Sequence, residues 1–125
     1  MKNLPELIGI LNKEITDYFD LKENYVYLGE QNKEHIKKKH YQDYENYFEY
    51  ISEIISSPDY FGKNPKDDSI ELIKEFEISE KVYIKVAVRI SKKGKLFART
   101  LYRLIDAERF EYQLLKGFYK KIEKF

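Results

Sequence analysis

The chain has 125 residues, of which 42% are hydrophobic and 36% are charged. This length fits a single domain over residues 1–125 with one hydrophobic core. The 23 basic and 22 acidic side chains leave a net charge of +1, so any phosphate contact requires a local basic patch. The absence of cysteine excludes disulfides and thiolate metal sites. No apolar run reaches the roughly 20 residues of a membrane helix and no signal peptide is evident, so we expect a cytoplasmic protein.

The first half of the chain has mainly helical spacing. An amphipathic helix is predicted over residues 4–19, with Asn3 as its cap. Its apolar face would comprise Leu4, Leu7, Ile8, Leu11, Ile15 and Phe19. Residues 25–29, YVYLG, predict a short strand, which a polar helix follows over residues 30–39. A third helix is predicted over residues 43–56.

The second half changes to an alternating period after a predicted loop over residues 60–68. Residues 81–91 form the clearest strand, because β-branched side chains occupy every second position. We call that side of the predicted sheet the valine face. Its members on this strand are Val82, Ile84, Val86, Val88 and Ile90. Strands over residues 69–77 and 95–105 flank it and complete an antiparallel meander.

The register of this meander decides which side chains share a face. Pairing Glu77 with Lys81 places Glu71 and Glu75 opposite the valine face. Pairing Ser91 with Lys95 places Thr100 and Tyr102 on the valine face. The mixed face would then carry Glu71, Glu75, Lys85, Arg89, Arg99 and Arg103.

Asp106 is predicted to cap a C-terminal helix in which Phe110, Leu114, Phe118 and Ile122 recur at four-residue intervals. The predicted fold is therefore α+β. It has N-terminal helices packed on one face of a mostly antiparallel four-stranded sheet, followed by a C-terminal helix.

The stretch 34-EHIKKKHY-41 contains both histidines, His35 and His40. Five residues apart on a helix they would point about 140° apart, so they cannot chelate one metal ion unless the helix ends between them. The sequence also lacks HExxH, GxGxxG, GxxxxGK[ST] and GxSxG motifs. We therefore predict no metal and no cofactor.

A cation-rich sheet face beside a histidine-bearing helix suits metal-independent RNA cleavage through the 2′-hydroxyl. That reaction needs a base for the hydroxyl proton, an acid for the leaving 5′-oxygen and cations for the phosphorane-like transition state. Histidine can fill either proton role, and arginine offers a bidentate phosphate contact. Exposed aromatic side chains can stack on unpaired bases.

The order of four features resembles a known superfamily. These are 35-HIKKKH-40, a Tyr/Ile-rich helix, 58-PDYFGKNP-65, and two basic strands containing 99-RTLYRL-104. Together, over roughly residues 25 to 120, they resemble phage-associated domains of the barnase, EndoU, colicin and RelE-like nuclease superfamily, as found at the C-terminus of Mu-type phage head morphogenesis proteins. The resemblance implies N-terminal helices before a four-stranded antiparallel sheet, and a metal-independent ribonuclease or toxin activity. Because such families exchange catalytic residues, it transfers the activity class more safely than the site.

The candidate residues fall into two groups. The catalytic candidates are His35, His40, Arg99, Thr100 and Tyr102. The RNA- or phosphate-binding candidates are Lys39, Lys85, Arg89 and Arg103. Thr100 and Tyr102 resemble hydroxyl positions that contact phosphate in related folds, although the predicted register turns them toward the core.

Each candidate also has a purely structural interpretation. The histidines can be ordinary helix residues, with a cationic His40 ring favoured by the dipole at a helix end. Arg99 can form a cross-strand salt bridge with Glu71 or Glu75. The tyrosines at positions 41, 44, 47 and 50 can serve packing instead of base stacking.

Two functions follow from the sequence. The first is an endoribonuclease of phage or mobile-element type, a toxin that cleaves tRNA or mRNA and needs a cognate inhibitor or delivery partner. The alternative is a non-catalytic protein-binding module, such as an inactive relative or a phage accessory protein that inhibits a host factor. Near-neutral charge favours the module, and the basic sheet face beside His35 favours the nuclease. The nuclease site requires His35 to lie near Arg99 and Lys85.

Overall fold

The structure is a computed structural model that describes residues 4–77 and 79–123. Its strands are β1 (Glu6–Ile10), β2 (Tyr25–Leu28), β3 (Tyr60–Lys63), β4 (Ile70–Glu77), β5 (Lys81–Ile90), β6 (Leu96–Arg103) and β7 (Tyr119–Lys121). Its helices are α1 (Lys13–Tyr18), α2 (Glu30–Lys39), α3 (Tyr41–Tyr47), α4 (Ile51–Ser56) and α5 (Ala107–Leu115), with a 3₁₀ turn over Phe48–Tyr50. The strands form one sheet in the order β1-β2-β6-β5-β4-β3-β7.

The domain is α+β, but the predicted four-stranded antiparallel sheet was wrong. The described residues form a seven-stranded mixed sheet, in which β2 pairs with β6 in parallel and the other neighbours pair antiparallel. Helices also cover both faces instead of one. Ile54 and Ile55 of α4 pack with the valine face, while Phe110 of α5 packs on the opposite face with Ile73 and Tyr83.

The central strands follow the sequence closely. The side chains of β5 alternate between the two faces as predicted. The valine face is buried in the larger of two hydrophobic clusters, which we call the main core. Glu77 pairs with Lys81, as predicted, so Glu71 and Ile73 of β4 lie on the other face. These strands position the side chains discussed below.

A β-bulge in β6 overturns the predicted register beyond Ala98. Val88 pairs with Ala98, but the next residue of β5, Ala87, pairs with Thr100, so Arg99 is the extra residue. Tyr102 consequently pairs with Lys85. Thr100 and Tyr102 therefore lie on the face opposite the valines, and Leu101, 0% exposed, takes the core position.

The N-terminal helix predicted over residues 4–19 was also wrong. Those residues form β1 and the short helix α1, which Asn12 caps by accepting a hydrogen bond from the Glu14 N–H at 2.9 Å. Leu4 is 87% exposed, so the apolar residues do not bury one helical face. A Cβ at Gly9 would lie 3.2 Å from Ile55, so the glycine permits the close approach of β1 to α4. The predicted cap Asn3 lies outside the described residues.

Three further boundaries differ from prediction. The helix predicted over residues 43–56 is divided into α3 and α4 by the 3₁₀ turn. The first residues of the predicted loop form β3. A Cβ at Gly62 in this strand would clash with the carbonyl oxygen of Phe118, the residue before β7. The C-terminal helix is capped by Asp106 as predicted but ends at Leu115. Gly117, with φ +82°, then turns the chain into β7.

The helix pair α2 and α3 covers the edge of β6 that β2 leaves unpaired. β2 pairs with β6 only at Leu96 and Phe97. Beyond them the Asn32 side chain donates to the Ala98 carbonyl at 3.1 Å, and the Asp43 carboxylate accepts from the Arg103 N–H at 3.1 Å. Covering an open edge in this way satisfies its polar groups and fixes α2 beside the bulge.

In the part of the chain that the structure describes, no helix is long and apolar enough to span a membrane.

Candidate nucleic-acid cleft

A cleft of about 560 Å³ opens where α2, the bulged part of β6 and the loop before β4 meet. The helix side contributes His35, Lys39 and His40. The sheet contributes Arg89, Arg99, Thr100 and Tyr102, and the loop side contributes Asn64, Asp67, Ser69 and Glu71. We call this surface the cleft.

The cleft brings together the five catalytic candidates, His35, His40, Arg99, Thr100 and Tyr102, with Lys39 and Arg89. Lys85 and Arg103 do not line it. The bulge makes this grouping possible, because without it Thr100 and Tyr102 would face the core.

Both histidines reach the cleft because α2 ends between them. The helix stops at Lys39, and the His40 backbone leaves helical geometry with φ −129° and ψ 52°. The buried Ile36 anchors the same helix in the main core. The 140° separation expected on a continuous helix therefore does not apply.

The His40 ring stacks on the Tyr102 ring, with centroids 5.0 Å apart and an interplanar angle of 23°. Burial lowers the pKa of His40, and the charges of Lys39 and His35 lower it further against the opposing effect of Asp43. The sequence had offered a cationic ring at the helix end as the structural interpretation. Here burial is the leading effect on the pKa of His40, and it favours the neutral ring.

Arg99 forms an ion pair across the mouth of the cleft with Asp67, at 2.7 Å from Nη1 to Oδ2. Its partner is thus a loop residue and not Glu71 or Glu75. Hydrogen bonds from the Ser69 hydroxyl and backbone N–H lower the pKa of Asp67, with a smaller contribution from Arg99. Because only Nη1 is engaged by the residues that the structure describes, the other N–H groups of the guanidinium remain as donors.

The Thr100 hydroxyl is a buried polar atom without a hydrogen-bond partner among the described residues. An unsatisfied buried hydroxyl costs about 1–3 kcal/mol, so such groups are uncommon in native proteins. Thr100 lines the cleft beside Arg99, with its hydroxyl oxygen turned away from solvent.

Lys85 lies beneath the cleft in a buried polar network. Its ammonium is 3.3 Å from the Glu71 carboxylate, which also accepts from the Tyr119 hydroxyl at 2.6 Å and the Asn64 amide at 3.3 Å. Burial opposes the charge, but Glu71 leads the effects that raise the pKa of Lys85 above its ordinary value. Lys85 therefore stays cationic, 5.7 Å from the centroid of the Tyr102 ring.

The other cations differ in their availability. Arg103 pairs with Glu80 at 3.0 Å, away from the cleft. Within residues 4–77 and 79–123, the Arg89 guanidinium and the Lys39 ammonium have no ion pair or hydrogen bond. Since Asp67 and Glu71 are already paired, Lys39 and Arg89 give the cleft a positive excess.

The tyrosine series serves packing at most of its positions. Tyr47 is buried, Tyr44 stacks on Phe48 at 4.6 Å, and Tyr50 contacts Phe76 at 5.2 Å. Tyr41 is exposed.

Sequence reasoning missed the polar residues that hold the cleft together. Asn32 ties α2 to β6, Asn64 and Glu71 organise the floor, and Asp67 with Ser69 holds Arg99. Asn64 and Asp67 each bond a backbone N–H two residues later, at Lys66 and Ser69. That pattern is a sequence-readable turn signal, but it does not reveal the long-range partners.

No group of three or more His, Cys, Asp or Glu within the described ranges could hold a metal ion.

The fold and cleft define an α+β domain with a histidine-bearing helix beside a basic sheet. A family model described as phage-Barnase-EndoU-ColicinE5/D-RelE like nuclease 3 matches residues 6–110. The chain belongs to this family, which confirms the resemblance drawn from the sequence. The family implies a phage-type nuclease with hydrolytic activity and a nucleic-acid substrate. Searches of curated proteins and of solved structures gave no match.

Proposed function

We propose that the protein is a metal-independent endoribonuclease of phage or mobile-element type that cleaves RNA through the 2′-hydroxyl. The observation that carries this proposal is the convergence of two histidines, two arginines and an unpartnered hydroxyl on one cleft. Those groups match the base, acid and charge stabilisation that the reaction requires.

His40 is assigned as the general base. Its lowered pKa favours the neutral ring near neutral pH, and a neutral imidazole can take the 2′-hydroxyl proton. The 2′-oxygen attacks phosphorus, and the bond from phosphorus to the 5′-oxygen breaks to leave a 2′,3′-cyclic phosphate. Tyr102 holds the plane of the His40 ring by stacking, so it acts as a positioning residue.

His35 is assigned as the general acid that gives a proton to the departing 5′-oxygen. It lines the same cleft from the middle of α2, and its side chain is exposed to solvent. Histidine can carry out either proton transfer near neutral pH.

Arg99, Arg89 and Thr100 are assigned to the scissile phosphate. The unengaged N–H groups of Arg99 and the whole Arg89 guanidinium can donate to its non-bridging oxygens. The Thr100 hydroxyl makes no hydrogen bond in the described chain, and rotation of its side chain toward the cleft would let it donate to the phosphate. Lys39 adds positive charge, and Lys85 supports the floor instead of touching the phosphate.

We propose tRNA or mRNA as the substrate and a toxin as the biological role, held in check by a cognate inhibitor. Single-stranded segments suit the cleft, because unstacked nucleotides expose their backbone and bases together. The protein would then be difficult to express without its inhibitor, and His40→Ala should relieve that toxicity.

The test is incubation of total RNA and purified tRNA with the protein in EDTA. The wild type should give discrete fragments that end in 2′,3′-cyclic phosphate, and His40→Ala or Arg99→Ala should lose them while remaining folded. Lys93→Ala in the exposed hairpin turn is the matched control and should cleave normally. No cleavage by a folded wild type would favour the non-catalytic protein-binding module instead.

A further inference from the structure

A second groove continues from the cleft along α5. It has a volume of about 310 Å³ and is lined by Lys66, Arg109 and Gln113, among others. It shares Asn64, Glu71 and Tyr102 with the cleft, so the two surfaces are continuous. We call it the α5 groove.

The α5 groove is chemically suited to an anion. The Arg109 backbone N–H donates to the Asp106 carboxylate, which caps α5. The Arg109 guanidinium has no ion pair or hydrogen bond within the described chain. The Lys66 ammonium is likewise unengaged there. The acidic side chain of the groove, Glu71, is already neutralised by Lys85 and bonded by Tyr119.

The groove on the other side of His40 is a weaker candidate. It is lined by Lys38, Lys39 and Arg103, but it also contains the Asp43 carboxylate. Arg103 is already paired with Glu80 at 3.0 Å. An RNA strand that leaves the cleft would therefore meet more unpaired positive charge in the α5 groove than in the groove beside Asp43.

We propose that the α5 groove binds the phosphodiester next to the scissile one in a single-stranded RNA, with Arg109 and Lys66 as its phosphate contacts. The proposal rests on the proposed function, because it takes the cleft as the place of the scissile phosphate. Tyr102 lies between the two phosphates, since it lines both surfaces. A substrate with a single phosphate would leave the groove empty.

The direct test is binding of a fluorescent single-stranded oligonucleotide of about ten nucleotides whose 2′-hydroxyls are replaced by fluorine, so that it cannot be cleaved. Arg109→Ala should bind about tenfold more weakly than the wild type and lower the dependence of log affinity on log salt by about 0.7. Lys116→Ala is the matched control directly after the same helix, because Lys116 lies over Tyr112 and outside both surfaces. It should bind like the wild type.

Cleavage of a dinucleoside monophosphate gives the second readout. Arg109→Ala should cleave it as fast as the wild type but lose about tenfold in kcat/KM on the longer RNA, since only the longer strand reaches the groove. If Arg109→Ala unfolds, Arg109→Gln is used in its place, because glutamine retains most of the aliphatic stem of arginine. Unchanged affinity and salt dependence in a folded Arg109 variant would overturn the proposal. Arg109-dependent binding by a protein that cleaves no RNA would support the groove and contradict the nuclease activity.

Discussion

The His40 ring is held against the Tyr102 ring, 5.0 Å between centroids and nearly parallel, at the point where α2 ends beside β6. Burial of the imidazole at this place lowers its pKa. The bulge at Arg99 is what turns Tyr102 toward the histidine. The end of α2 thus sets the position of His40, and the bulge supplies the ring that orients it.

Removing the Tyr102 ring should move the acid limb of the pH profile. Because the lowered pKa keeps His40 neutral to lower pH, kcat/KM of the wild type should begin to fall below pH 6.5, the ordinary value for histidine. Tyr102→Ala exposes the ring, so its acid limb should shift toward higher pH. Tyr102→Phe keeps the stacked ring and is the control. Identical profiles for the Ala and Phe variants would contradict this role.

The same pKa predicts how stability depends on pH. The neutral ring is favoured in the folded state, so its contribution to the free energy of unfolding is fully present above pH 6.5 and is lost as pH falls through the lowered pKa. Urea unfolding of the wild type and His40→Gln at several pH values measures it. The difference between the two proteins should change with pH between neutral and mildly acidic conditions. A constant difference would be inconsistent with a lowered pKa.

Thr100→Val should separate activity from stability. It removes a buried hydroxyl that has no partner in the described structure, so the free energy of unfolding should rise or stay within about 1 kcal/mol. If the hydroxyl donates to the phosphate in the transition state, kcat should fall by about 10²-fold. Thr100→Ser keeps the hydroxyl and should retain activity. A large loss of stability in Thr100→Val would show that the hydroxyl is satisfied in the fold.

Asp67→Asn should strengthen RNA binding. The Asp67 carboxylate lies 2.7 Å from Arg99 and competes with the phosphate for the same guanidinium. Neutralising it should lower KM by a few-fold at low salt, and the gain should shrink as salt rises. Glu80→Gln is the matched control, because it removes an acid paired with Arg103 outside the cleft. Equal effects of both substitutions would indicate a general charge effect.

Lys85→Met should damage the fold more than the chemistry. The Lys85 and Glu71 side chains are only 11% and 10% exposed, so removing one leaves the other charge buried without its partner. Loss of one partner of a buried pair costs about 3–5 kcal/mol, and thermal unfolding should show it. The double variant Lys85→Met with Glu71→Leu should recover much of that loss. A double variant as unstable as the single one would contradict the pairing.

The sequence predicted the parts of the fold that depend on local patterns. The alternation in β5, the turn that pairs Glu77 with Lys81, and the cap at Asp106 all follow from neighbouring residues. Ile78 of that turn lies outside the described residues. The predicted polar helix α2 is also present, since its signals are local.

What the sequence did not predict depends on contacts between distant segments. Gly62 is required because β7 approaches it, and Gly9 because α4 does, so neither glycine marks a loop. The bulge places Leu96, Ala98 and Leu101 in the core, a change of spacing that strict alternation cannot accommodate. Arg99, the extra residue of the bulge, therefore decides whether Thr100 and Tyr102 belong to the core or to the cleft.

The most direct test of the central claim is a comparison of one RNA oligonucleotide with its all-2′-deoxy counterpart in EDTA, with the chemical ends of every product identified. Attack by the 2′-hydroxyl in this cleft predicts that only the RNA is cut, to a 2′,3′-cyclic phosphate and a 5′-hydroxyl, and that His40→Ala abolishes the cut. Cleavage of the deoxy strand, or products that carry a 5′-phosphate, would contradict the proposed chemistry.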